Sequence, residues 1–102
     1  MLPFEEVTGF DWDAGNILKI WDAHKVRPSE CEQVFKNEPF GGKPDEKHSK
    51  VEERHFVFGR TNEKRLLTVV YTIRSGLIRV ISARPMSRKE RKDYAETIAA
   101  NT

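Results

Sequence analysis

In the stretch RLLTVVYTIRSGLIRVISARPMSRKE (residues 65–90), two runs rich in β-branched and aromatic residues flank the dipeptide Ser75-Gly76, and a basic run follows Pro85. A two-residue connection ending in glycine between such runs predicts an antiparallel hairpin, with strands over 65–74 and 76–84. Working towards the N-terminus, ERHFVFGRT (53–61) has the same character, and Thr61–Lys64 is short enough for a second hairpin. The three runs form an antiparallel meander. Working the other way, Pro85 stops the last strand, and Ser87 with Glu90 forms a capping box that opens a C-terminal helix carrying Tyr94 and Ile98 on one side.

Before the meander, Asp13 is placed to cap a helix in which Ile17, Leu18 and Trp21 follow helical spacing and which ends near Lys25 and Val26. A second helix begins at Pro28, or one residue later through a Ser29–Glu32 capping box, with Cys31, Val34 and Phe35 on its apolar face. From Lys36 to about Val51 the chain is rich in Gly, Pro and charge without a period, which predicts an exposed loop. Short extra strands are expected near Phe10 and Phe40. The expectation is a single α+β domain over residues 1–102: two N-terminal helices, a three- to four-stranded antiparallel sheet and a C-terminal helix. Helices would cover one face of the sheet and leave the other relatively free.

The formal charge of +2 conceals an asymmetry: residues 1–42 hold four Lys/Arg and eight Asp/Glu, whereas residues 43–102 hold fourteen and eight. Such polarity suits a polyanion-binding face as well as an ordinary solvated surface. No apolar run approaches the ~18 residues of a membrane helix, and Met1–Val7 has neither the basic start nor the apolar body of a signal peptide, so a cytoplasmic location is expected. The single cysteine, Cys31, reads as a small core residue.

His24, His48 and His55 lack metal-ligand spacing, so no metal and no cofactor is expected. There is no nucleophile elbow and no Gly-rich phosphate loop between a strand and a helix. What remains is cationic: Arg54, Arg60, Arg74, Arg79 and Arg84 on or beside the strands, and Arg88, Lys89, Arg91 and Lys92 in the last helix. Metal-free RNA cleavage needs cations to steer the phosphate and stabilise its developing charge, plus groups that move protons. His48, His55 and Tyr71 are the available proton carriers. Each residue also has a plainer role: strand arginines pair with carboxylates across strands, Tyr71 packs in the core, and Arg88–Lys92 form a solvated face. Parity adds a constraint. With period two, Arg84 shares a face with Ile78, Val80 and Ser82, and Arg79 with Ile81 and Ala83. One site can use both arginines only if the strand twists or bulges between them, or if Arg84 lies just past its end.

Taken together, FDWD, His24, Val34-Phe35, His48-Ser49, Glu53-Arg54, GRT (59–61), VVYT (69–72), IRVISAR (78–84) and RKERKDY (88–94) resemble the BrnT family over residues 10–94. The resemblance implies a type II toxin of RelE-like fold, a ribonuclease that blocks translation by cutting RNA without metal. It implies a BrnA-like antitoxin as partner, a small DNA-binding protein that joins the toxin in a hetero-oligomer and brings the complex to operator DNA. It also singles out Arg60, Tyr71, Arg79 and Arg84 as catalytic candidates with His48 as proton carrier; Arg54, Arg88, Lys89, Arg91 and Lys92 of the cationic set are the expected RNA-binding residues. The chain departs from the family pattern at Lys25, where glycine is common, at Pro85, where a basic residue is common, and at Asn62-Glu63, where glycine is frequent. Two other classes stay open: a non-catalytic nucleic-acid-binding module, and a protein-interaction module with a basic face.

Overall fold

A computed structural model describes residues 7–41 and 53–100. Three helices and five strands occur among these residues: β1 (Gly9–Phe10), α1 (Ala14–His24), α2 (Pro28–Lys36), β2 (Phe40–Gly41), β3 (His55–Arg60), β4 (Leu66–Arg74), β5 (Leu77–Pro85) and α3 (Arg88–Ala100). The fold is α+β, as expected. Its sheet is larger than the predicted three to four strands and is mixed, in the order β1-β5-β4-β3-β2, because β1 adds to the outer edge of β5 in parallel. All other pairings are antiparallel.

The two hairpins form with turn chemistry that the residues permit. Ser75 (φ 51°) and Gly76 (φ 76°) both take positive φ, the pattern of a type I′ turn whose twist matches the strands. In the first hairpin the positive φ falls on Lys64 (66°) rather than on Asn62 or Glu63, so the missing glycine there requires no strain at those two positions. Asn62 is held from α2, its N–H donating to Gln33 Oε1 at 2.9 Å and its Oδ1 accepting from Asn37 Nδ2 at 3.0 Å.

Asp13 caps α1 as predicted. Its Oδ1 accepts from Asn16 N, and Asn16 Oδ1 accepts from Asp13 N at 2.9 Å. Lys25 closes the helix in the left-handed region (φ 54°, ψ 45°), the conformation for which a glycine is normally preferred. The second helix starts at Pro28 with Arg27 as its N-cap. Glu30 reaches back to accept from Arg27 N at 3.0 Å, so the alternative Ser29–Glu32 box does not form, and Glu32 accepts from Trp12 Nε1 instead. Arg27 contributes no cap with its side chain; its guanidinium lies over the Trp21 ring, 5.5 Å from the centroid. Arg65 ties the helix pair to β4 by donating to the His24 and Lys25 carbonyls at 2.9 Å each and pairing with Glu30 at 3.2 Å.

Helices α1 and α2 cover one face of the sheet. Ile20, Val26, Cys31, Val34 and Phe35 meet Val57, Leu67, Val69, Tyr71, Ile78, Val80 and Ala83 in a continuous core, each large side chain contributing about 1.5–3 kcal/mol through burial. Burial pushes the Cys31 thiol up to about 12, which fits a packing role. The other face is not left free. Helix α3 lies on it, since Glu90 accepts from Thr68 Oγ1 and the buried Tyr94 packs edge-on against Phe40. The expected one-sided arrangement is therefore three-layered, with α3 over one end of the second face. Of the predicted loop, residues 42–52, including His48, lie outside the described residues.

Gly59 sits on the core face where α2 approaches most closely. A Cβ there would lie 2.7 Å from Val34 Cγ1 and 3.3 Å from the Val34 carbonyl oxygen. Gly59→Ala is therefore expected to cost about 2 kcal/mol in urea unfolding, through displacement of α2.

Candidate nucleic-acid interface

The register of β5 against β4 determines which arginines share a surface. Ser82 pairs with Val70 and Val80 with Tyr71, so Ile81 has no partner and forms a bulge. The extra residue inverts the alternation of side chains beyond it. Ile78 and Val80 before it, and Ala83 after it, all enter the core, while Arg79, Ser82 and Arg84 all face the other way. Paired residues of antiparallel strands lie on the same face. The second face accordingly presents rows across the sheet: Thr72 beside Arg79; Phe56, Val70 and Ser82; Phe58, Thr68 and Arg84; and Arg60 beside Leu66. Arg54 just precedes β3 and continues the Thr72 row, where Thr72 Oγ1 donates to the Glu53 carbonyl at 2.8 Å.

The arginines divide into two groups. At one end, Arg54, Arg74 and Arg79 line an open groove of about 230 Å³ together with Lys19, Gly15, Asn16, Val80 and the bulged Ile81. Four cationic side chains thus converge on one concavity, the arrangement that raises local anion concentration. Arg79 is oriented there by two carboxylates: its Nη1 lies 3.4 Å from Asp11 and 3.0 Å from Asp13, and its Nη2 donates to Asp13 at 3.2 Å. The hydrogen bond from Arg79, followed by that from Asn16 N, holds the Asp13 carboxyl below its ordinary range. Asn16 Nδ2 donates to the Val80 carbonyl at 3.2 Å, which fastens α1 along the outer edge of β5 and brings Lys19 to the groove.

At the other end, Arg84 is engaged in the structure itself. It forms a two-point pair with Glu90, Nη1 to Oε1 at 2.6 Å and Nη2 to Oε2 at 2.9 Å. The Glu90 carboxylate also accepts from Ser87 N at 2.8 Å and Thr68 Oγ1 at 3.1 Å, and Glu90 N–H completes the capping box by donating to Ser87 Oγ at 3.2 Å. These contacts, Arg84 foremost, bring the Glu90 carboxyl down to about 2. Arg60 lies on the same face, ~20 Å from Arg54 by strand rise, and its guanidinium makes no hydrogen bond or ion pair among the described residues. Arg88, Lys89, Arg91 and Lys92 are exposed on the first turns of α3, with Arg91 donating to the Met86 carbonyl at 3.1 Å.

Tyr71 belongs to neither group. It is 0% exposed on the core face, packed edge-on against Phe35 at 5.1 Å and beside His55 at 5.5 Å, and burial pushes its phenol up to about 12. His55 shares that face. Reading the sequence missed Lys19 and the Asp11–Asp13 pair that orients Arg79; the spacing of Gly15, Asn16 and Lys19 on one side of α1 is the signal that could have found the first. Among the described residues, no group of three or more His, Cys, Asp or Glu side chains is placed to hold a metal ion, and no helix is long and apolar enough to cross a membrane.

The second face of this α+β domain thus carries basic side chains and a cationic groove at one end. The family model described as "ribonuclease toxin, BrnT, of type II toxin-antitoxin system" matches residues 12–90, and the chain belongs to that family. No curated protein matches it. Membership makes RNA the target class and an antitoxin the partner class.

The depressed Glu90 carboxyl has a consequence for stability. A carboxyl lowered in the folded state stabilises above its unfolded value, and that contribution disappears as pH falls from about 4.5 towards 2. Urea midpoints measured between pH 7 and pH 3 should fall for the wild type, whereas Glu90→Gln should start less stable, by about 1–2 kcal/mol once solvent screening of the partly exposed pair is allowed for, and lose less over the same range.

Proposed function

We propose that this chain is a metal-independent endoribonuclease that stops translation by cutting RNA in the cytoplasm. In this reading it is neutralised by a BrnA-like DNA-binding antitoxin, with which it forms a hetero-oligomer that reaches operator DNA only through the antitoxin. The observation that carries the proposal is the groove of Lys19, Arg54, Arg74 and Arg79. Cations held at a sheet surface before substrate arrives stabilise the charge that develops on a phosphate under attack by a 2′-hydroxyl, and they do so with little reorganisation.

Each candidate then has a distinct part. Arg79, oriented by Asp11 and Asp13, is the electrostatic residue of the cleavage site, with Arg54, Arg74 and Lys19 holding the backbone on either side. His48 is the proton carrier. Arg60 and the exposed Arg88, Lys89, Arg91 and Lys92 extend the RNA track along the same face. The two-point pair of Arg84 with Glu90 supports a positioning role: it holds α3 on the RNA-facing side rather than touching the reacting phosphate. The core position of Tyr71 supports packing, so it carries no catalytic step here. A non-catalytic RNA-binding module is the second reading, favoured by one observation: neither buried Tyr71 nor core-facing His55 offers a proton carrier at the groove.

Titrated expression in bacteria, followed by growth and total RNA integrity, tests the first reading. Wild type should arrest growth and fragment RNA, the exposed pair Lys19→Ser with Arg74→Ser should reduce fragmentation at least about tenfold, and His48→Gln should abolish it with the fold intact. Intact RNA from folded wild-type protein would sink the nuclease. If the protein then still bound single-stranded RNA, with a salt dependence that falls by about 0.7 per phosphate contact removed, the binding module would replace it.

A further inference from the structure

Helix α1 has more apolar surface than the sheet uses. On a wheel of about 100° per residue, Asn16 and Ile20 point to the core, Gly15, Asn16 and Lys19 turn to the cationic groove, and Ile17, Leu18 and Trp21 point away from that groove. Leu18 is 58% exposed and Trp21 38%, and these are the large exposed hydrophobic residues among those described. With Ile17, Val26, Arg27 and Pro28 they enclose a second groove of about 350 Å³ between α1 and the start of α2. Two cations mark one end of it: Lys25 Nζ lies 5.2 Å from the Trp21 ring centroid and the Arg27 guanidinium 5.5 Å.

We infer that this groove is the docking site of the antitoxin, which inserts an apolar side chain between Leu18 and Trp21 and places an acidic side chain against Lys25 and Arg27. The inference rests on the toxin reading above for the identity of the partner. Concave apolar pockets of this size, walled by a tryptophan and rimmed by charge, take the anchor residue of an inserted segment. The paired cations select an acidic neighbour for that anchor, because an anion there completes a charge arrangement that Trp21 and two like charges leave unbalanced. A second copy of this chain fits less well. Its protruding apolar side chains, Leu18 and Trp21, are the walls of its own groove, so a two-fold pairing would set wall against wall. Since the two grooves flank opposite sides of α1, an antitoxin anchored in one needs to cross a single helix to cover the other.

The test is calorimetric binding of the purified cognate antitoxin to the full chain, read beside RNA cleavage. Trp21→Ser and the more exposed Leu18→Asp should each weaken binding by at least about tenfold, and Arg27→Glu by a similar factor, with RNA cleavage unchanged in all three. Unaltered affinity in folded Leu18→Asp and Arg27→Glu would overturn the inference. So would a wild-type dimer that Leu18→Asp dissociates while antitoxin binding persists, which would assign the groove to self-association. A wild type that cleaves no RNA would refute the nuclease and leave the docking question to be decided by calorimetry alone; a wild type that binds no antitoxin would refute the docking site.

Discussion

One unpaired residue, Ile81, organises both faces of the sheet. A regular β5 would have sent Ala83 to the outside and Arg84 into the core if Ile78 and Val80 were buried, setting a charge against Leu67 and Val69. The bulge removes that conflict. It keeps the core continuous to the end of the strand, delivers Arg84 to Glu90, and so determines where α3 can sit. It also leaves Ile81 at the edge of the cationic groove, so that the irregularity that preserves the core borders the candidate site as well.

The charges that the bulge gathers do different work. Arg84 has its donors matched by one carboxylate, which is in turn fixed by a helix N-terminus and a threonine, a network in which each member is satisfied by the others. Arg79 is bound by two carboxylates, yet remains beside an open concavity lined by further cations. Similar residues on one strand thus divide between architecture and electrostatics. Their surroundings separate them, which composition cannot.

This division explains how far the residues could be read in advance. Hairpins, caps and helix order were legible because Ser75-Gly76, Asp13, Pro28 and Ser87–Glu90 act on their immediate neighbours. The need for a bulge or twist between Arg79 and Arg84 was also legible, from parity alone. Which residue would be displaced was not, since that depends on the packing of α1 against Val80. Nor was the face occupied by α3, which follows from an ion pair formed only after the parity is inverted. Lys19 and Arg79 are 60 positions apart, and they meet through Asn16 bonding to the edge of β5. Tyr71 looked chemically apt by residue type and proved to be core by position. Arg27, a poor cap by type, lies over Trp21, with its own N–H accepted by Glu30 and its carbonyl accepting from Glu30 N and Cys31 N.

The attachment of α1 to β5 also orders events in time. A ribosome releases Asn16 and Ile20 long before Val80, the residue whose carbonyl Asn16 holds, so the first helix emerges without the surface it needs. The β3–β4–β5 meander can close locally, through short turns, but the N-terminal layer and the groove beside it are assembled only once β5 is out. The four cations of this groove therefore converge only after β5 has been synthesised.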